Sequence, residues 1–222
     1  MSLTDDDDGA VDTSLAARIY DTVRARIILG DFPQGSRLPE QRLADELQVS
    51  RIPLREALSR LAADGLVVTT HRRSAVVSSW APGTVHDLFD ARLALETSAA
   101  GLAARRLNGV AELQRSLERS IDEMRAGDEL GIAEANVRFH QALVAAAGNQ
   151  LMDGLMRRIS ARMSWLFFLT AHRDHDVACS EHSAIVGAVR LGNVRLAETL
   201  TYAHIETGRE PSLAAMHALL PA

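Results

Sequence analysis

The chain contains no lysine; all 24 of its basic residues are arginine. Every cationic contact it makes with phosphate or carboxylate can therefore be planar and bidentate. A single cysteine, Cys179, excludes an internal disulfide framework. Apolar runs such as Trp165 to Leu169 fall far short of the ~20 residues that a membrane-spanning helix needs. The first residues are acidic and lack the basic-then-apolar plan of a signal peptide. These absences predict a cytoplasmic protein with no membrane contact.

What is present suits a packed protein. Of 222 residues, 47% are apolar and 24% charged, enough for one large domain or two small ones. The net charge of −5 is unevenly spread. Residues 1–13 carry five aspartates and no base, and their Asp5–Asp8 run predicts a disordered tail. Residues 14–80 carry ten arginines against seven acids, an excess of three, whereas residues 81–222 carry 14 against 17. The basic part is local, as a nucleic-acid-binding unit requires, although a solvated helix face would also match so small an excess.

Turn chemistry divides the chain. Ser14 predicts an N-cap for a helix to Leu29, with Gly30 as its stop. A short helix fits Glu40–Gln48 and a third fits Arg51–Ala63, capped by Ser50, with Pro53 in its first turn where a missing N–H costs little. Leu66–Thr70 and Ala75–Ser79 predict two strands joined by His71-Arg-Arg-Ser74. Trp80-Ala-Pro-Gly83 marks a domain boundary. Beyond it the period is helical, with helices expected over 84–107, 110–126, 129–147, 150–171, 174–191 and 193–208. Thr84 and Asp87 fit a capping box at the start of this second unit, 84–222. The fold class expected is mainly α: a winged helix-turn-helix over 14–80 followed by an all-α bundle.

In the third helix Leu54, Leu58 and Leu61 share a core-facing stripe, leaving Arg51 and Arg55 on another face near the helix start. That is the part of a recognition helix that enters the major groove, where arginine pairs with guanine or clamps phosphate. The plain alternative is a solvated helix face. The stretch from Arg37-Leu-Pro-Glu-Gln-Arg42 through Val49-Ser-Arg-Ile-Pro-Leu-Arg55 to Asp64-Gly-Leu-Val67 closely resembles the signature of the GntR family of regulators. The resemblance implies operator contacts by Arg42, Ser50, Arg51, Pro53 and Arg55, with His71 at the wing tip. Ser74 departs from it, standing where the family often has glycine.

The second unit resembles the FCD ligand-binding domain of the FadR-type subgroup. Asp87-Leu-Phe-Asp-Ala-Arg-Leu-Ala-Leu-Glu96, Asn136-Val-Arg-Phe-His140 and Glu181-His182 with His204 carry the likeness. Asn136 and His140 share a helix face; His182 sits on the Ile185/Val186/Val189 side of its helix, and His204 extends the Leu196–Leu200 stripe. Spacing alone favours hydrogen-bonded core histidines. The resemblance implies that Asn136, His140, His182 and His204 are ligands of a divalent metal ion, zinc or nickel, with asparagine where aspartate is usual. Four neutral ligands leave the ion's charge uncompensated, which favours a carboxylate effector. Arg92 lies on the interior Val85–Phe89–Glu96–Ala99 stripe; it either pairs with Glu96 or clamps an effector carboxylate. Glu181 is expected to point away from the site, and His172 and His175 to lie on the surface.

The function implied is a DNA-binding transcription repressor, a homodimer on operator DNA controlled by a small organic acid. Two rivals stand beside it. A metal-dependent enzyme would need a base beside an open metal position, and the sequence has neither HExxH nor a catalytic serine motif. A DNA-binding protein whose second domain only dimerises would show no ligand-dependent operator release.

Overall fold

The computed structural model describes residues 14–69, 75–107, 109–126, 128–170 and 175–219. The expected contact at His71, with Ser74 and His172, lies outside them, as does the side chain of His175.

Helix α1 (Leu15–Ile28) starts where Ser14 accepts a hydrogen bond from Ala17 N. It buries Ile19, Val23 and Ile27 against α3 (Arg51–Ala63), which contributes Leu54, Leu58 and Leu61. Between them α2 (Glu40–Leu47) ends at Gln48, whose left-handed backbone (φ 54°) makes the tight turn into α3. The wing is smaller than expected in length and larger in strand number. Strands β2 (Val67–Val68) and β3 (Ala75–Val77) pair antiparallel with Val67 opposite Val77. A further strand, β1 (Arg37–Leu38), pairs with the other edge of β3, giving the order β1-β3-β2. Two residues are too few to display alternation, so β1 carried no signal in the sequence.

Six helices follow among the described residues: α4 (Pro82–Arg106), α5 (Val110–Ala126), α6 (Glu129–Ala146), α7 (Gln150–Leu169), α8 (His175–Arg190) and α9 (Val194–Leu219). Asn149 caps α7 by accepting from Leu151 and Met152 N, and Asn193 accepts from Leu196 N at the start of α9. Thr84 is not the cap expected of it. The helix begins one turn earlier, and the Thr84 hydroxyl instead accepts from Ala81 N at 2.9 Å. Helix α9 also overruns its expected end at residue 208 and passes through Pro211. A helical proline costs about 3 kcal/mol. Burial of Leu213 and Met216, worth roughly 1.5–3 kcal/mol each, offsets it.

The chain passes from sheet to helix at residues 78–81, yet packing does not break there. Trp80 is buried and meets Trp165 of α7 edge to face, ring centroids 5.6 Å apart. One core runs from Ile19 through Trp80 and Trp165 to Met216. Arg24 of α1 reaches Glu134 of α6 at 2.7 Å, and the Arg162 guanidinium lies 4.8 Å from the Trp80 ring. Gly65, in a left-handed turn at φ +73°, has the Arg162 side chain packed over it: an added Cβ would sit 2.9 Å from Arg162 Cδ. The winged unit is therefore docked on α7, whose C-terminal end also lines the cavity described next.

Candidate functional site

Two groups of side chains converge in ways that chemistry can use. The first is on the winged unit. Arg51 and Arg55 are exposed at the start of α3, and both turn toward Glu40 at the start of α2, at 3.6 and 2.7 Å. Glu40 thereby holds two guanidinium groups side by side in water, where such pairs are weak and easily exchanged for a stronger anion. Arg42 is exposed on α2. Ser50 sits at the N-cap of α3 without using its hydroxyl as a cap, and Pro53 is half-buried in the first turn. The hydroxyl and the first-turn N–H groups of α3 all remain available to an incoming phosphate. Glu40 went unnoticed in the sequence because its partners lie 11 and 15 residues away, brought to it only by the turn at Gln48.

The second group is inside the helical unit. His140 (α6), His182 (α8) and His204 (α9) are buried, and one ring nitrogen from each lies within 4.8 Å of the others. The Nε2 atoms of His182 and His204 are 3.1 Å apart, those of His204 and His140 3.4 Å. Tetrahedral ligands at 2.0–2.1 Å from zinc stand about 3.3 Å from each other. The backs of two rings are held by carboxylates: Glu96 Oε2 is 2.6 Å from His140 Nδ1, and Glu181 Oε2 is 2.6 Å from His204 Nδ1. Protons on those Nδ1 atoms leave the Nε2 lone pairs facing inward, the tautomer that a metal ligand needs. Phe139 stacks on His182 with centroids 3.8 Å apart.

Glu181 corrects an expectation: instead of turning away from the site, its side chain reaches from α8 to His204 Nδ1 on α9. Arg92 takes the first of its two expected roles, the pairing with Glu96. Its Nε donates to Glu96 at 2.7 Å, and its Nη2 lies 3.2 Å from His140 Nε2, at the cavity wall. Burial acts to raise the pKa of Glu96; the charge of Arg92 and the contact with His140 outweigh it and hold the carboxyl well below the usual range. A buried carboxylate needs such partners. Asn136 Oδ1 is buried and without a hydrogen-bond partner. It lines the same cavity as Phe89, Arg92, His140, Phe167 and His204. The converging Nε2 atoms of His140, His182 and His204, with the buried Asn136 oxygen beside them, are of the ligand types that fit a divalent cation.

Comparison with known proteins identifies the family. Residues 15–77 match the bacterial regulatory proteins of the gntR family, and residues 87–207 match the FCD domain. The chain belongs to the GntR family. The gluconate operon transcriptional repressor of Bacillus licheniformis is 32% identical over 188 residues, covering 80% of this chain and 76% of that one. The HTH-type transcriptional regulator YcbG of Bacillus subtilis is 27% identical over 91% of this chain and 92% of its own. Among solved structures, a GntR transcriptional regulator from Rhodococcus superposes with a TM-score of 0.77 at 26% identity, covering 90% of this chain and 98% of its own. This GntR protein is a DNA-binding transcription regulator with an FCD domain, not an enzyme. Among the described residues, no helix is long and apolar enough to cross a membrane.

Proposed function

We propose that this GntR regulator is a homodimeric repressor whose grip on a palindromic operator changes when a small carboxylate binds beside a divalent metal ion in the helical unit. The observation that carries the reading is the cavity where inward Nε2 atoms, the unpartnered Asn136 oxygen and the Arg92 guanidinium meet. His140, His182, His204 and Asn136 would hold zinc or nickel; the ion would supply a positive charge uncompensated by its own ligands. Arg92 would bind the other end of the acid. On the DNA side, Arg51 and Arg55 would exchange Glu40 for bases or phosphates, with Arg42, Ser50 and Pro53 alongside. Two-fold symmetry doubles contacts that one wing and helix make too few of.

The cavity measures about 60 Å³, less than half of the ~150 Å³ that accommodates benzene in another protein. An acid as bulky as benzene would have to displace lining side chains to enter it. Phe167 is on α7, the helix against which the winged unit packs, so displacement there favours one arrangement of that unit over another.

The test is elemental analysis of purified protein, then a thermal-shift screen of carboxylates and an operator titration with each hit. Zinc or nickel should be present and should be lost in His140→Ala. A hit should change operator affinity about 5- to 150-fold, and Arg92→Ala should weaken it. Metal-free protein after reconstitution would leave the histidines as core residues. Hits that never alter operator affinity would reduce the helical unit to a dimeriser.

A further inference from the structure

Helix α3 carries one large apolar side chain that its own fold does not use. Ile52, at the second position of the helix, is 81% exposed. At 100° per residue it lies opposite Leu61 and nearly opposite Leu54, both fully buried. Its own face holds Arg55, Glu56 and Ser59, all exposed, with Arg51 beside it. Isoleucine is a middling helix former with nothing to gain from water, so neither propensity nor packing accounts for it here. The groups around it do suggest an account. Arg51 and Arg55 flank it at the N-terminal end of the helix, the end that enters a major groove. The floor of that groove displays a single apolar group, the C5 methyl of thymine.

We propose that Ile52 reads a thymine methyl in each operator half-site, adding an apolar specificity contact to the polar contacts of Arg51 and Arg55. This rests on the assignment of α3 as the recognition helix. The contact buries one methyl group against the isoleucine side chain and forms no hydrogen bond, so it adds discrimination without adding charge. It separates thymine from cytosine, which has no such methyl, and from uracil, which differs from thymine by that methyl alone. Its contribution is insensitive to salt, unlike that of the flanking arginines.

The experiment uses duplexes selected from a random pool by the full-length protein, with each thymine replaced in turn by uracil. At one position per half-site, uracil should weaken binding by wild type about fourfold, and about 16-fold when both half-sites are changed, as expected for one buried methyl each. Ile52→Ala should lose a similar factor on the thymine duplex and become indifferent to uracil. Ile52→Thr keeps the β-branched shape and the fold and should fall between them. The proposal is overturned if wild type is indifferent to uracil at every position, or if Ile52→Ala keeps the same sensitivity. Arg55→Ala separates the two levels of failure. If it weakens binding while uracil does nothing, only the Ile52 contact is wrong. If Arg51→Ala, Arg55→Ala and uracil are all without effect, α3 is not the reading helix and the contact falls with it.

Discussion

Replacing Asn136 by aspartate adds one negative charge to the cavity that His140 and His204 line and changes little else in shape. The amide oxygen is already buried and unpartnered, so the carboxylate would take its place without new packing. If a cation sits among the three Nε2 atoms, Asn136→Asp should raise its affinity on the order of 10- to 100-fold, the range by which single groups around a metal act. The same change should weaken binding of a carboxylate effector, because it neutralises the charge that attracts it. Competition with a chromogenic chelator measures the first effect and thermal shift the second. Metal affinity equal to wild type would remove Asn136 from the ligand set. The residue types at this site were legible in sequence, as was the i, i+4 relation of Asn136 to His140. The carboxylates behind the rings were not, because Glu96 and Glu181 reach histidines on other helices, 44 and 23 residues away.

Helix α1 is tied down at both ends of the junction between the two units: by the 2.6 Å hydrogen bond from the Tyr20 phenol to Asp64 at the end of α3, and by Arg24 to Glu134. Burial, then the hydrogen bond and charge of Asp64, push the Tyr20 hydroxyl well above its ordinary value of 10.0. A group whose pKa is raised by folding contributes stability that is complete below its unfolded value and is lost as pH climbs toward the folded one. With no lysine in the chain, two tyrosines and one cysteine are nearly all that titrates between pH 9 and 11. The alkaline response is therefore unusually clean. Wild type should lose about 1 kcal/mol per pH unit above 10, after screening of the partly exposed ring. Tyr20→Phe should be less stable at pH 9 by about 1 kcal/mol and nearly flat from there to pH 11. Urea unfolding at the two pH values measures both. A parallel decline in both proteins would detach the effect from Tyr20. Caps and stops made most helices of the fold legible, whereas α9 was cut short at 208 because Gly208 and Pro211 signal an end that burial of Leu213 and Met216 overrides.

At the scale of the whole molecule, both tryptophans sit at the junction, packed edge to face inside one continuous core. The two units should then unfold together. Urea transitions followed by tryptophan fluorescence and by far-UV circular dichroism should coincide, and Trp80→Ala should destabilise both by roughly 3–5 kcal/mol, the usual cost of emptying a large aromatic site. Two separated transitions, or a Trp80→Ala effect confined to one of them, would mean that the units are independent and that α7 does not couple them.

By itself the sequence determined the helices and strands β2 and β3 of the wing, the order of a winged helix-turn-helix and a helical bundle, and which residue types stand at the start of α3 and at the inward histidines. Local physics suffices for these: turn residues, caps and a 3.6-residue period act over a few positions at a time. Only the tertiary structure decided which carboxylate orients which imidazole, that Glu40 gathers Arg51 and Arg55, that Ile52 is left bare among them, and that Trp80 is a buried joint within a single core. Those are relations between distant positions, set by how faces meet once helices pack, and no periodicity along the chain encodes them.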